Sequence, residues 1–338
     1  MLQETRAAPG RVRAMLDQDA AVYGALAEAL RRRPPAFVVT IARGSSDHAA
    51  AYLASLVGIV AGRVTASLPP SLVTRYDAKL AFKGAFVVAL SQSGASPDIV
   101  RALEAAAAGG AITAAIVNRP DSPLAAAAEH VLPQHAGPEE SVAATKSMLA
   151  TLACAARLVA TWQEDGDLLR ALTGLPDRLE AALGCDWSPA LDSLAEVSRL
   201  YVVGRGPGLG IALETALKLK ETSGVLAEAL SAAEIQHGPK AVIGPGFPVL
   251  AYGLADPGGA DARAFAGELV EAGAEVLLAG VAAPPTGALH LPLPPPLHPL
   301  LDPIVALQAF YPLAEALARR RGRDPDRPPG LRKVTRTV

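Results

Sequence analysis

Hydroxyl and amide side chains cluster where one apolar run of the sequence ends. The run Ala85–Leu90 is followed by Ser91-Gln92-Ser93-Gly94-Ala95-Ser96, and the pattern of a helix begins at Ile99. Backbone N–H groups at the start of a helix favour an anion. Because the loop contains no lysine, it does not match the GxxxxGK[ST] loop of nucleotide-binding proteins. The segment predicts a binding site for one small phosphate monoester; the alternative, an ordinary helix cap, requires only one serine.

A second group of polar side chains falls on one face of a predicted helix. Glu214, Lys218 and Glu221 are spaced i, i+4 and i+7, so they share that face. One interpretation is a solvated ladder of ion pairs, which contributes only tenths of a kcal/mol. The other is a half-buried carboxylate beside a lysine, which makes a tuned general base. Apolar residues around the group favour the second interpretation.

Two histidines are candidates for acid–base chemistry. His237 precedes Gly238-Pro239 in a predicted turn, a position that suits a solvent-accessible acid or base, and His48 is a weaker candidate. No spacing of His, Cys, Asp or Glu indicates a metal site, and no GxSxG motif indicates a serine nucleophile. The string Gly204–Gly210 departs from the GxGxxG spacing of dinucleotide-binding proteins. We therefore expect neither a metal nor another cofactor.

The elements that must position these residues follow an α/β pattern. The composition is 51% hydrophobic but only 4% aromatic, which suits tightly packed helices on parallel sheets. Strands alternate with helical stretches, and a strand followed by a glycine-rich turn occurs twice, a weak internal repeat. The predicted strands are Ala36–Ala42, Val64–Ser67, Phe86–Leu90, Ile112–Val117, Arg199–Gly206, Pro248–Tyr252 and Glu275–Ala279.

Length and helix patterns suggest how the chain is divided. A chain of 338 residues predicts two domains. The predicted long helices are Val12–Arg33, Ser141–Trp162, Gly210–Thr222 and Leu300–Arg320. A helical region at 165–196 is predicted to break at Gly174–Pro176 and at Pro189, and Leu289–Pro303 is predicted to be a loop. The predicted boundaries are an N-terminal helix over 1–34, a first domain over 35–165, a helical connector over 166–196, a second domain over 197–320 and a tail over 321–338.

Charge and composition exclude several kinds of partner. The net charge of −2 supplies no basic field for nucleic acid or for an anionic membrane. Two cysteines are too few for a disulfide scaffold, and the polar N-terminus lacks the apolar segment of an export signal. Apolar stretches are too short to span a membrane. We expect a soluble cytoplasmic protein that binds neither nucleic acid nor membrane.

Three motifs, in this order, resemble a known family. They are Ser91-Gln-Ser-Gly94, Ser141-Val-Ala-Ala-Thr-Lys146, and Ala212–Glu221 followed by Ala233–Pro239. They look like the double SIS (sugar isomerase) proteins, with the best match in the isomerase half of glutamine–fructose-6-phosphate amidotransferase. The resemblance implies two flavodoxin-like, three-layer αβα subdomains with parallel sheets, and a C-terminal tail over the active site.

The resemblance also implies a role for individual residues. Glu221 matches the base that moves a proton between C1 and C2 of the sugar, and Lys218 matches a lysine that supports the site. Lys333 matches a tail lysine that closes over the sugar and can form an imine. His237 matches a ring-opening histidine that reaches the neighbouring subunit's site, which implies a homodimer. The matching substrate-binding positions are Ser45, Ser46, Ser91, Gln92, Ser93, Ser96, Val142 and Ala144.

The sequence departs from the family pattern at two residues and in its expected domain content. Ala144 stands where the amidotransferase has serine, and Pro329 where it usually has arginine. With no glutaminase domain expected before residue 36, we predict an amino-sugar phosphate deaminase that converts glucosamine 6-phosphate and water to fructose 6-phosphate and ammonia. The alternatives are a galactosamine-6-phosphate deaminase, a fructosamine-6-phosphate deglycase, a plain phosphosugar isomerase and a phosphosugar-binding regulator.

Overall fold

Parallel sheets organise the chain, as the alternation of strands and helices predicts. The computed structural model describes residues 1–333. The first sheet has the order β2-β1-β3-β4-β5, the second has the order β10-β9-β8-β6-β7, and every strand pair is parallel. The strands are β1 (Phe37–Ile41), β2 (Thr65–Ser67), β3 (Ala85–Ser91), β4 (Ile112–Val117), β5 (His130–Pro133), β6 (Arg199–Gly204), β7 (Leu226–Ser231), β8 (Pro248–Tyr252), β9 (Glu275–Gly280) and β10 (Leu289–Pro292).

Helices connect and cover these strands. Strands β3, β4 and β8 are buried along their whole length, as expected for continuous apolar runs in sheets covered on both faces. No helix in residues 1–333 is long and apolar enough to cross a membrane. The helices are α1 (Leu2–Leu16), α2 (Ala20–Arg32), α3 (Ser45–Leu56), α4 (Ser71–Thr74), α5 (Pro97–Ala108), α6 (Pro123–Ala126), α7 (Lys146–Gln163), α8 (Gly166–Leu183), α9 (Ala190–Leu194), α10 (Pro207–Lys218), α11 (Pro257–Glu271) and α12 (Asp302–Arg320).

The internal repeat extends to details of the backbone. Numbered within its own half, each sheet has the order 2-1-3-4-5, which is the flavodoxin-like order. Gly44 precedes α3 with φ 56° and ψ −135°, and Gly206 precedes α10 with φ 56° and ψ −131°. Both helices pass into one π-helical turn, Val57–Ala61 and Leu219–Ser223, and each turn is followed by a glycine in the left-handed region. The predicted α/β fold with two like halves is confirmed.

The chain divides into two compact units. The first unit contains residues 10–139 and 146–173 together with Arg332 and Lys333, and it carries the first sheet. The second unit contains Met1–Pro9, Glu140–Thr145 and Gly174–Leu331, and it carries the second sheet. Its three segments are joined at Asp326, whose carboxylate accepts from the Met1 amino group and whose carbonyl accepts from the Val142 N–H at 3.1 Å.

The single N-terminal helix predicted over Val12–Arg33 is wrong. The chain forms α1 and α2 instead, with a break at Asp19, which has φ 60°. Aspartate tolerates this left-handed conformation better than most residues, and its carboxylate lies 2.5 Å from the ring of His135. Arg157 donates to the carbonyls of Met15 and Gln18, so the end of α1 is also held by a distant side chain.

Other differences from prediction have equally local causes. The helix predicted from Ser141 begins at Lys146, because the Glu139 carboxylate accepts from the Ser147 N–H and caps the helix there. Helix α8 continues through the break predicted at Gly174–Pro176. Strands β5, β7 and β10 were not predicted; all three are edge strands, and β10 lies inside the predicted loop Leu289–Pro303.

One glycine tests how closely strand and helix approach each other in the second unit. A Cβ on Gly204 would lie 2.4 Å from the carbonyl oxygen of Gly208, a backbone atom of α10. We expect Gly204→Ala to lower the free energy of unfolding by about 2 kcal/mol or more, measured by urea denaturation. Gly24→Ala, in α2 with nothing within 4 Å, is the control and should raise it by up to about 1 kcal/mol. Equal effects of the two substitutions would contradict this packing.

Candidate functional site

The predicted phosphate loop lies at the topological switch point of the first sheet. Strands β1 and β3 are neighbours, and their connections leave the carboxyl edge of the sheet in opposite directions, to β2 and to β4. Ligands of open α/β sheets bind in the crevice at such a point. The connection after β1 contains Gly44, and β3 ends at Ser91, the first residue of the serine loop.

A pocket of about 380 Å³ opens between these two connections. Its size falls within the range of small-molecule sites. All of its lining residues belong to the first unit, and five of the predicted phosphate-binding residues are among them. Ser45, the first residue of α3, is adjacent in sequence but does not line the pocket. The lining residues are Arg43, Gly44, Ser46, Leu90, Ser91, Gln92, Ser93, Ser96, Ile99 and Lys333.

Hydrogen bonds within the loop fix its hydroxyl groups. Ser91 Oγ accepts from the Gly94 N–H at 3.0 Å, and Ser93 Oγ accepts from the Ala95 N–H at 3.3 Å. A hydroxyl that accepts in this way still has a proton to donate. Below the loop, the buried amide of Gln134 donates to the carbonyl of Ser91 at 3.3 Å. The loop is therefore braced by its own backbone while hydroxyl donors remain for a ligand.

Gly94 is required at the tightest point of this loop. Its φ is 62°, and a Cβ there would lie 2.1 Å from Ser122 Oγ and 2.9 Å from a methyl carbon of Val117. Ser122 cannot easily yield, since its hydroxyl caps α6 by accepting from the Ala125 N–H. Sequence reasoning assigned Gly94 to the loop without this steric reason.

Two cations line the pocket. The Arg43 guanidinium donates through Nε at 3.2 Å and through Nη2 at 3.1 Å to one carboxylate oxygen of Asp98, in the first turn of α5. Sequence reasoning missed Arg43 as a site residue, although its place between β1 and the turn glycine was the available signal. The second cation is Lys333, the last residue that the structure describes.

Lys333 is held by a buried carboxylate. Its Nζ donates to Glu139 Oε2 at 2.8 Å, and that oxygen also accepts from the Ser147 hydroxyl at 2.6 Å. Burial by itself raises the pKa of Glu139, but the Lys333 ammonium and the bonds from Ser147 together hold it below its ordinary value of 4.5. Glu139 was also missed; it stands two residues before the quoted Ser141 motif and shows no signal of its own. Residues 334–338 of the predicted tail lie outside the described residues.

The second polar cluster is buried in the second unit. Lys218 donates to Glu221 Oε2, and its Nζ lies 3.4 Å from Glu214 Oε1. Burial favours the neutral amine, but the carboxylates of Glu214 and then Glu221 hold the pKa of Lys218 above its ordinary value. The Lys218 and Glu214 side chains are 1% and 0% exposed and that of Glu221 is 19% exposed, so a solvated ladder of ion pairs is wrong. Glu221 is the member of the group that a solute can reach.

A π-helical turn presents Glu221. The turn Leu219–Ser223 directly continues α10, and Arg321 donates to the carbonyl of Ser223 at 2.9 Å. The corresponding turn of the first half, Val57–Ala61, carries no charged residue. The first half, which contains the serine loop, therefore has the same π-helical turn as the second half but no charged cluster on it.

The remaining predicted residues are placed in the second unit. His237 ends a short 3₁₀ helix, Glu234–His237, and is exposed. Val142 and Ala144 are half-buried in the segment Glu140–Thr145, and exposed Pro329 lies in a turn near the end of α12. Within residues 1–333, no group of three His, Cys, Asp or Glu side chains could hold a metal ion.

Substitution of Gly94 should disrupt the pocket. We expect Gly94→Ala to weaken binding of inorganic phosphate by about tenfold or more, because the added carbon displaces the loop. Gly110→Ala is the matched control, since Gly110 has φ 85° but open space around it. Calorimetric titration of both variants measures the effect. Equal loss of affinity in the two would attribute it to backbone strain rather than to the loop.

Removal of the Glu139 carboxylate should lower the free energy of unfolding by an amount that depends on pH. A lowered pKa means that the ionised group stabilises the fold above its ordinary pKa and stops doing so as the pH falls through the folded value. We expect wild type to exceed Glu139→Gln in unfolding free energy by about 1–3 kcal/mol at pH 7, and the difference to shrink below pH 4.5. Urea denaturation at several pH values measures it. A difference that is constant down to pH 3.5 would contradict the assigned ion pair.

Comparisons with known proteins agree with the repeat. A family model for the SIS domain matches residues 36–160 and 193–276. Glutamine–fructose-6-phosphate aminotransferase (isomerizing) of Zymomonas mobilis is 34% identical over 286 residues, which are 80% of this chain and 47% of the relative. The enzyme of that name from Aeropyrum pernix is 35% identical over 321 residues, 88% of this chain and 50% of the relative. The chain spans about half the length of the curated relatives it matches.

Solved structures show the same fold. A provisionally assigned phosphosugar isomerase of Silicibacter pomeroyi DSS-3 has a TM-score of 0.91 and 40% identity, covering 96% of this chain and 98% of that one. Glucosamine-6-phosphate deaminase of Thermotoga maritima shares the fold with a TM-score of 0.74 and 21% identity, covering 99% of both chains. With two matched repeats, two sheets of one order and these relatives, the chain belongs to the SIS domain family.

Proposed function

We propose that this protein is a phosphosugar aldose–ketose isomerase that acts as an amino-sugar phosphate deaminase. Its reaction would convert glucosamine 6-phosphate and water to fructose 6-phosphate and ammonia. The observation that carries the proposal is the buried Lys218 ammonium bonded to the partly accessible Glu221 carboxylate. In a SIS protein that also has a serine-lined pocket, this pair suits proton transfer on a phosphorylated sugar.

In this proposal the pocket of the first unit binds the phosphate group. Ser46, Ser91, Ser93 and Ser96 supply hydroxyl donors, and the amide of Gln92 supplies another. Ser45 contributes through the backbone at the start of α3, where the helix dipole favours an anion. Binding energy from the phosphate, remote from the reacting carbons, would orient the sugar for reaction.

Glu221 is proposed as the base that moves the proton. It takes the proton from C2 of the open-chain aldehyde while O1 receives a proton from solvent, and an enolamine with a hydroxyl on C1 forms between C1 and C2. The proton is returned to C1, which leaves an iminium at C2; water adds there and ammonia leaves. The ammonium of Lys218 donates to Glu221 and holds the carboxylate in place for this step. It also opposes negative charge that develops on the sugar.

Further residues have proposed supporting roles. His237, exposed at the end of its 3₁₀ helix, would assist opening of the pyranose ring in a neighbouring subunit. Lys333 would close over the sugar, and Val142 and Ala144 would line its carbon chain. Ala144 has no hydroxyl to offer the sugar, so the chain of the sugar is bound with one donor fewer than a serine would give. A homodimer and a cytoplasmic location belong to the same proposal.

Relatives support both this reaction and one alternative. The T. maritima protein that shares the fold over 99% of both chains is named a glucosamine-6-phosphate deaminase. The more similar S. pomeroyi protein is provisionally assigned as a phosphosugar isomerase. The second candidate function is therefore isomerisation of a sugar phosphate that has no amino group, by the same proton transfer.

An ammonia assay distinguishes the two functions. The purified protein is incubated with glucosamine, galactosamine and fructosamine 6-phosphates, and both ammonia and the keto sugar phosphate are measured. We expect ammonia and fructose 6-phosphate in equal amounts from glucosamine 6-phosphate. Ketose formation from glucose 6-phosphate without ammonia from any amino sugar would instead establish the isomerase. No turnover of any of these compounds would reject both functions.

Substitution of the proposed base separates chemistry from binding. We expect Glu221→Gln to lower kcat by about a thousandfold or more, since the amide cannot accept the C2 proton. Affinity for the sugar phosphate should remain within a few-fold of wild type. Glu104→Gln, an exposed position on α5, is the control and should change neither quantity. A joint loss of turnover and binding in Glu221→Gln would make Glu221 structural instead of catalytic.

A further inference from the structure

A phosphate dianion needs compensating positive charge, and the serine loop contains none. Among the described residues that line the pocket, the cations are Arg43 and Lys333. Lys333 donates to Glu139, whose carboxylate is fully buried and offsets its charge. Arg43 lies two residues after the end of β1 and lines the same pocket as the loop that follows β3.

We propose that Arg43 binds the phosphate group of the substrate and that Asp98 orients its guanidinium for this contact. The inference rests on the proposed function and adds to it the source of positive charge. It also makes the site selective for a dianion over a neutral sugar. Hydroxyl donors alone would bind a neutral group with less discrimination.

The geometry of Arg43 leaves donors for a ligand. Arginine has five N–H groups, and Asp98 takes one from Nε and one from Nη2. The Arg43 side chain is 49% exposed while Asp98 is 2% exposed, so one end of the pair is anchored and the other is accessible. A planar guanidinium held in this way matches the oxygen geometry of phosphate.

The second half of the repeat supplies the competing explanation. Arg205 follows β6 as Arg43 follows β1, and it pairs with Asp261 of α11 at 2.9 Å. This resemblance suggests a clamp that holds two connections together in each half. The connection after β8, however, reads Gly253-Leu254-Ala255 where the first half has Ser91-Gln92-Ser93. Arg43 therefore shares its pocket with a loop of hydroxyl donors. The loop that corresponds to it in the second half has none at these positions, so Arg205 is the natural control.

Titration with inorganic phosphate tests the proposal without requiring turnover. Arg43→Gln keeps an amide that can donate to Asp98, so the clamp persists while the charge is lost. We expect this variant to bind phosphate about tenfold or more weakly at low salt, with a melting temperature close to wild type. Arg43→Lys should recover part of the affinity, because it restores the charge without the planar pair of donors. Arg205→Gln should bind phosphate as wild type does.

Three results would overturn the proposal. They are wild-type phosphate affinity in Arg43→Gln, equal losses in Arg43→Gln and Arg205→Gln, and an Arg43→Lys variant as weak as Arg43→Gln despite normal folding. If Arg43→Gln does not fold, the Lys variant and the Arg205 control still decide between charge and clamp. Absence of ammonia release from every amino sugar would reject the proposed deaminase and leave the phosphate titrations unaffected. The two failures are therefore distinguishable.

Discussion

The proposed function of this protein depends on a lysine ammonium that is buried between two carboxylates. Lys218 is enclosed, and two carboxylate groups meet its charge. Loss of one member of such a buried group typically costs about 3–5 kcal/mol, because the remaining charge is left without a partner. The group places the Lys218 ammonium directly beside Glu221. A π-helical turn and a glycine with φ 66° then fix where that carboxylate emerges.

The two halves of the repeat share one backbone framework but place different side chains on it. Each half has the same strand order, the same glycine before its first long helix and the same π turn after it. In the first half the switch-point loop carries serines, and its π turn is apolar. In the second half the π turn carries Glu221, and its switch-point loop has no serine. In the proposed function, anion binding belongs to the first half and acid–base chemistry to the second.

Much of the fold could be predicted because its signals are local. Apolar runs identified β1, β3, β4, β6, β8 and β9, and the serine loop identified four of the ten residues that line the pocket. Errors arose where distant side chains decide the outcome. The break at Asp19 depends on His135, and the start of α7 depends on Glu139. Arg43 and Glu139 were not predicted as site residues for the same reason. Folding brings Arg43 to Asp98 and Glu139 to Lys333, and these partners are far away in the sequence.

The edge strands show a different limit of prediction. Strands β5 and β10 have four residues each, include proline and pair on one side only, so their sequences carry little strand character. Helix α8 continues through Gly174–Pro176 although both residue types usually interrupt helices. In each case tertiary packing outweighs local propensity. A sequence pattern reports only local propensity and therefore does not predict these elements.

Measuring the charge state of Lys218 tests directly whether a buried ammonium lies beside Glu221. The ¹⁵N resonance of its Nζ, assigned by comparison with Lys218→Arg, can be followed as the pH is raised. We expect Lys218 to stay an ammonium at and above its ordinary pKa of 10.5. A neutral amine at pH 7 to 8 would contradict it, because Glu221 would then have no buried cation beside it and no reason to act as the base.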